Sequence, residues 1–304
     1  MSTRIVTDST AYLPADVIAQ HGIEVVPLHV VVGGRDHVEG RDITAQQVAA
    51  ALRDYTIVTT SRPTPQVFAE TYRRLADEGA TAIVSVHLSS QMSGTVEAAR
   101  LAAAEAPVPV EVVDSETIGM AMGFAVVAAA EAAAEAAAGG ANVPSVLEVI
   151  RARLAPSGVL FYVDTLEHLR RGGRIGAASA LLGSALSIKP ILAVRGGRIV
   201  PVEKVRTSSR AVARIEAMVV EHVEKGRTVA DLAVHHLDAA ARADQIAAEL
   251  REMVPGSPKV IVVELGAVVG AHVGPGTVAI AVSPRPGETL PAATGPAADG
   301  HAGS

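Results

Sequence analysis

Short runs of β-branched residues alternate with longer helical runs through the first half of this chain, and that alternation restricts its fold more than any other feature. Residues 4–7, 56–60, 82–88 and 110–113 read as strands, and residues 65–78, 94–106 and 119–138 read as helices. Helical crossovers cover both faces of the sheet they connect, so the pattern predicts an α/β fold with a mainly parallel sheet. Residues 30–42, with Gly33-Gly34 and acidic punctuation, read as a small hairpin excursion. The run Gly-Gly-Ala-Asn-Val-Pro at 139–144 ends one helix and starts another, and marks a candidate boundary. Beyond it come a helix at 144–154, a strand at 159–163, helices at 166–171 and 177–186, and a hairpin around Gly196-Gly197. A helix at 208–225, a strand at 229–235, a helix at 239–253 and strands near 259–264 and 278–282 complete the pattern. The expected organisation is an N-terminal α/β domain with hydroxyl-rich strand ends over 1–155, and a smaller C-terminal α/β domain over 156–284. Residues 285–304 are Pro-, Gly- and Ala-rich without periodicity, and are expected to form a disordered tail.

Composition narrows the function classes. Of 304 residues, 49% are hydrophobic but only 2% aromatic, with no Trp, so the core must be built from Val, Ile, Leu and Ala. Such a core packs normally, and it is also suited to enclosing a smooth aliphatic cavity. The formal net charge is -6, and there is no basic stripe with stacking aromatics, which argues against nucleic acid as a partner. With no cysteine, disulfides and thiol catalysis are excluded, and a reducing, cytoplasmic setting fits. The start, MSTRIVTDST, has no apolar leader core. The Ala-rich stretch 118–140 carries Glu131 and Glu135, whose burial at bilayer depth would be costly, so it reads as a buried helix and no integral membrane segment is expected.

Small hydroxyl residues recur after each first-half strand: Asp8-Ser9-Thr10, Thr59-Thr60-Ser61-Arg62-Pro63, Ser89-Ser90-Gln91-Met92-Ser93-Gly94-Thr95, and Asp114-Ser115. In a parallel sheet the carboxyl ends of the strands share one edge, where open α/β sheets bind ligands. Taken singly, each cluster is an N-cap. Taken as a set, they predict an anion or carboxylate site, with Ser93-Gly94-Thr95 at a helix start whose N–H groups and dipole favour negative charge. The chain has no G-x-x-x-x-G-K-[ST] and no G-x-S-x-G, so neither a P-loop nor a serine-hydrolase elbow is expected. Gly172-Gly173-Arg174-Ile175-Gly176 does not match a dinucleotide fingerprint. His235 and His236, adjacent on a strand, point to opposite faces and read as structural rather than metal-ligating. His272 lies in what reads as a glycine-dense loop, 270–276, and is a candidate for facing a ligand.

These residues carry a family resemblance. Ile5-Val6-Thr7-Asp8-Ser9, Thr60-Ser61-x-Pro63, Leu88-Ser89-Ser90 with Ser93-Gly94-Thr95, Val113-Asp114-Ser115, residues 169–175 (Leu-Arg-Arg-Gly-Gly-Arg-Ile), Lys189-Pro190-Ile191-Leu192, Lys204-Val205-Arg206-Thr207 and Gly270-x-His272-x-Gly274-Pro275-Gly276 follow one another as in the DegV family. Together they span about residues 3–283 and resemble that family in order and spacing. The resemblance implies a fatty acid held between two α/β domains, its carboxylate hydrogen-bonded and its chain buried. It also implies a non-catalytic subunit that presents the lipid to a separate ATP-dependent fatty-acid kinase subunit in bacteria. It places carboxylate contacts on Thr60 or Ser61, on Ser93 and Gly94, and on His272, with no cofactor and no metal. Arg170, Arg171 and Arg174 would lie nearer the kinase-facing surface or the domain interface. Two positions depart from the family pattern: Arg62 where Gln is frequent, placed either to pair with the carboxylate or to face solvent, and Gly119 where Ser is frequent.

Energetics suit such a ligand. Burying about 14 methylenes gains on the order of 11 kcal/mol before ordering costs, against about 1.5–3 kcal/mol for a charge-assisted hydrogen bond. The chain would dominate affinity and the head-group residues would set orientation. Two other readings stand beside this one: a hydrolase or acyltransferase using Ser93 as nucleophile and His272 as base, and a carrier of another apolar carboxylate lipid.

Overall fold

A computed structural model describes residues 2–137, 142–181, 188–256 and 258–291. In chain order the first half holds β1 (Thr3–Asp8), α1 (Ala15–His21), β2 (Glu24–Val26), β3 (His29–Val32), β4 (Arg35–Val38), α2 (Ala45–Arg53), β5 (Val58–Ser61), α3 (Pro65–Asp77), β6 (Ala82–His87), α4 (Thr95–Ala103), β7 (Val110–Asp114), α5 (Met120–Ala137) and α6 (Val143–Leu154). The second half holds β8 (Gly158–Tyr162), α7 (Glu167–Arg171), β9 (Lys189–Arg195), β10 (Arg198–Val205), α8 (Ser208–Gly226), β11 (Thr228–His236), α9 (Ala240–Met253), β12 (Lys259–Glu264), α10 (Ala267–Val273) and β13 (Val278–Thr289).

Strands β2-β1-β6-β7 form a four-stranded, wholly parallel sheet. Successive residues of a strand face opposite sides, and the packing follows that rule. Val6 and Ile83 bury against Phe68 and Tyr72 of α3 and Ala99 of α4, whereas Ile5 and Val84 bury against Met122 and Val126 of α5 and Ile150 of α6. Helices therefore cover both faces, as the alternation requires. The second half forms a mixed six-stranded sheet, β10-β9-β8-β13-β11-β12. It comes from fewer residues than the first half yet carries the wider sheet. One face packs Leu232, Val234 and Ile280 against Ile215 of α8 and Ile246 of α9. The other presents Val159, Phe161, Ala279 and Ala281 toward α5, through Met120 and Phe124. Helix α5 thus serves both sheets.

Three expectations are corrected. The strand expected at 56–60 is not part of the parallel sheet: β5 pairs antiparallel with β3, in a separate three-stranded sheet β4-β3-β5. The hairpin excursion supplies an antiparallel edge that β5 completes, with Val30 opposite Thr60. The stretch 270–276 is not all loop, because Ala267–Val273 forms α10. Its glycines terminate rather than break the helix: Gly266 is the N-cap, and Gly274 ends it at φ 77°. The tail does not begin at 285. Strand β13 continues to Thr289, where Thr228 pairs with Thr289 and Arg285 pairs with Asp231 at 2.6 Å. Residues 292–304, the boundary residues 138–141, and 182–187 of the helix expected at 177–186 lie outside the described residues. What is described of that helix is a 3-10 turn, Gly176–Leu181. No described helix is long and apolar enough to cross a membrane.

Candidate functional site

Four segments converge on one apolar cleft between the two sheets. Strand β5 brings Thr60 and Ser61, with Arg62 just beyond its end; the turn into α4 brings Met92 and Ser93; the turn after α7 brings Arg174; and the last turn of α10 brings His272. The second sheet supplies the floor, with Val159 and Phe161 of β8, Val194 of β9, Ile199 of β10 and Ala279 of β13. Leu28, Leu88, Leu265, Val268 and Val269 complete the apolar walls. Most of the lining is apolar and several polar groups cluster within it, which is the arrangement expected for a ligand with one polar end.

At the polar end, Thr60 Oγ1 and His272 Nε2 share a hydrogen bond of 2.8 Å across 212 residues of sequence. His272 Nδ1 is buried and has no hydrogen-bond partner among the described residues. Burial pushes the imidazole down to about 4, and the nearby Arg174 charge adds to the shift, so the ring is neutral near pH 7. Close packing fixes it in place, since a Cβ at Gly172 would collide with Nδ1. Arg174 donates from Nε to the Met92 carbonyl at 2.9 Å and from Nη1 to the Gly172 carbonyl at 2.7 Å. It ties the turn carrying Ser93 to the turn beneath His272. Ser93 Oγ lies 2.9 Å from Thr95 Oγ1 at the start of α4, with Gly94 as the N-cap. The Arg62 guanidinium lies against Gly94, so this departure from the family pattern borders the polar end.

The structure separates the remaining expected residues. Arg170 and Arg171 are exposed and paired with Glu167, Arg170 through both Nε (2.8 Å) and Nη2 (2.7 Å). Those two cations hold the Glu167 carboxyl down at about 2. They lie on the surface of α7, apart from the cleft that Arg174 lines. The hydroxyl clusters do not act as one set. Asp8 is wholly buried and accepts hydrogen bonds from Thr10, from the Leu88 amide and from His87, at 2.6–3.0 Å. Asp114 accepts the Ser90 amide at 3.2 Å. Ser89 Oγ donates to the Gly197 carbonyl at 2.8 Å, which joins the strand edge to the β9–β10 hairpin.

Other residues escaped sequence reasoning. His235, read from the sequence as structural, also lines the cleft. Its Nε2 accepts the Met120 amide at 3.0 Å, which fixes the ring hydrogen on Nδ1. Burial pushes it down to about 4. Gly119 leaves the ring its space, since a Cβ there would sit 3.0 Å from Nε2; a Ser at 119 would crowd it. Tyr12, edge-on to His235 at 6.0 Å, also lines the cleft. A buried chain of Asp8, His87, Ser85 and Tyr72 has triad-like composition, with His87 2.7 Å from Ser85 Oγ. Ser85 is fully buried and Tyr72 donates to it, so this chain braces the parallel sheet. Among the described residues, no group of three His, Asp or Glu side chains is placed to hold a metal ion.

Comparison with known proteins points to one family. The model of the DegV family, described as uncharacterised proteins, matches residues 2–285. A DegV domain-containing protein of Streptomyces coelicolor is 53% identical over 281 residues, covering 92% of this chain and 98% of the relative. Among solved structures, a DegV family protein from Thermus thermophilus, described by its fatty-acid binding, is 35% identical, with a TM-score of 0.84 over 94% of this chain and 100% of that one. DegV from Bacillus subtilis, described as a fatty acid binding protein, is 32% identical, with the same TM-score and the same coverage. With the motifs, the fold and the matched length in agreement, this chain belongs to the DegV family.

Proposed function

We propose that this protein binds a long-chain fatty acid in the cleft between its sheets and catalyses nothing itself. The carboxylate is held by Thr60 or Ser61, by Ser93 with the Gly94 amide, and by His272, while the aliphatic chain lies along the second sheet. One observation supports this reading above the rest: the cleft is largely apolar, and within it a Thr60–His272 hydrogen bond from two distant segments stands beside Ser93 and Arg174. The solved relatives described as fatty-acid binding support it as well. A partner carrying the ATP site, a fatty-acid kinase subunit in the bacterial cytoplasm, would then phosphorylate the presented carboxylate. Exposed Arg170 and Arg171 are suited to meeting it.

The hydrolase alternative fares worse on the same geometry. The partner of Ser93 Oγ is the Thr95 hydroxyl, and His272 Nε2 is engaged by Thr60. A nucleophile needs its base within hydrogen-bond reach.

Mass spectrometry of solvent-extracted protein tests the ligand. A long-chain fatty acid is expected from the wild type, and markedly less from the double variant Thr60→Val/His272→Ala. A nucleotide, or no lipid, would count against the reading. Acyl phosphate should form only when ATP and a kinase subunit are both added.

A further inference from the structure

The head-group pair depends on two elements that have little hold of their own. Helix α10 has seven residues, too few to be stable alone, and no side chain of its own caps it. Strand β5 sits in a three-stranded sheet set apart from the main one. A single buried side chain bonds to α10 and leads, through Ser9 and Leu28, to the sheet that holds β5. We propose that Glu39 is the positioning residue of the site, a clasp that holds α10 and the β3–β5 sheet in the register the Thr60–His272 pair requires. The affinity arm of its test rests on the fatty-acid reading; the spectroscopic arm does not.

Glu39 follows β4 and is 6% exposed. Its Oε1 accepts the Val268 amide at 2.8 Å, across 229 residues, and so caps the N-terminus of α10 from a distant segment. Its other oxygen accepts the Ser9 hydroxyl. Ser9 Oγ in turn accepts the Leu28 amide at 3.0 Å, and the Leu28 carbonyl accepts the Glu39 amide at 2.9 Å. Leu28 leads directly into β3, where Val30 faces Thr60. At the other end, α10 carries His272 in its last turn. One carboxylate is therefore linked to both partners of the 2.8 Å bond. Gly266 makes the approach possible, because a Cβ there would collide with Glu39 Oε1. The arrangement also gives Ser9, one of the hydroxyl residues that follow β1, a task inside the fold.

The clasp has a pH signature. Burial raises the Glu39 carboxyl above the usual carboxylate range, and the Asp8 charge adds to this, while the Ser9 and Val268 bonds oppose it. Asp8 on β1 and Tyr12 in the turn after β1 interact with it, and Arg41 on its own segment and Glu264 at the end of β12 line the same pocket as Glu39. A carboxyl raised in the closed state holds its proton more firmly there than when released. Closure is therefore fully supported below the ordinary carboxylate value, and is weakened as pH rises through the raised one. His272 titrates separately and is common to all variants.

The test compares delipidated wild type, Glu39→Ala and Glu39→Gln by fatty-acid titration from pH 5 to 9, using palmitate. It also follows the His272 imidazole by 15N NMR without ligand. Glu39→Ala is expected to weaken binding about tenfold and to move the His272 signal. Glu39→Gln, the same shape without a charge, is expected to restore affinity to within about threefold, and the ratio of wild-type to Glu39→Gln dissociation constants should rise with pH. A folded Glu39→Ala that binds as the wild type does, with His272 unmoved, overturns the proposal, as does a Glu39→Gln as defective as Glu39→Ala. Should Glu39→Ala not fold, the ratio decides, and a flat ratio overturns the proposal. Wild type that binds no fatty acid, with His272 still shifted in Glu39→Ala, sinks the fatty-acid reading and leaves the clasp standing.

Discussion

His272 is neutral because burial and Arg174 push its pKa to about 4, and a bound carboxylate would push the other way. An imidazolium beside a carboxylate is stabilised, so binding should draw a proton onto the ring. The sign follows from linkage: the ring binds its proton more tightly in the complex, so its contribution to affinity is fully present below about 4 and is lost as pH rises through the ring's value in the complex. In His272→Gln this part of the dependence should vanish, as titration calorimetry in buffers of different ionisation enthalpy would reveal. Ser93 contributes differently. Ser93→Ala removes one hydroxyl and leaves the aliphatic walls intact, so it should weaken binding by about 1–3 kcal/mol and leave chain-length preference unchanged. Titration with two acids of different length checks this; a shifted preference would place Ser93 along the tail. Thr60 or Ser61, Ser93 and His272 are named through the family resemblance, because each sits in a short motif that the resemblance carries over; of the local readings beneath them, the helix start at Ser93-Gly94-Thr95 stands in the fold. Glu39 and His235 are not reached in this way. Glu39 acts on an amide 229 residues away, and no local spacing encodes such a contact. His235 reads as an ordinary strand residue until Gly119 is seen to make room for its ring.

At the level of elements, the site is an agreement between helix ends and strand ends. Gly172 closes α7 at φ -73°, a conformation any residue adopts, so Gly172→Ala adds no backbone strain there. Its cost is the collision with the His272 ring. Lipid affinity should fall by about tenfold or more, while the unfolding midpoint in urea moves little; the two measurements together separate ring displacement from loss of fold. The parallel sheet and its covering helices were legible because the strand–helix alternation is strong and the periods differ, 2 against 3.6. The sheet to which β5 belongs is not legible in the sequence, because Val58–Ser61 looks the same whether its neighbour is parallel or antiparallel. The end of helix α10 reads as loop because the glycines at 270, 274 and 276, with Pro275, are turn signals by composition. In the fold, Gly266 and Gly274 cap the helix, and Gly270 packs against Leu237.

In the whole molecule, the end of β13 belongs to the fold. A chain ending at Pro284 would lose the Arg285–Asp231 pair, and Asp231 would keep only Arg153, which is 7% exposed and stacks over Phe124 at 5.8 Å. It would also lose the Thr228–Thr289 pairing. Such a chain should be less stable by about 1–3 kcal/mol, measured by chemical denaturation against the full-length protein. The Pro and Gly at 286 and 287 hid this stretch, because they are rare inside strands and acceptable only where the ladder is loose. The aliphatic cleft between the sheets has a further bearing on the molecule as a whole. When filled, it makes the guest a part of the interior, shared by Val268 on one side and Phe161 on the other. An emptied chain has a seam where a filled one has mortar. Its melting temperature should then report cargo: at a hundredfold excess of free lipid over the dissociation constant, the filled form gains about 2.7 kcal/mol, and a preparation carrying mixed lipids should melt in more than one step.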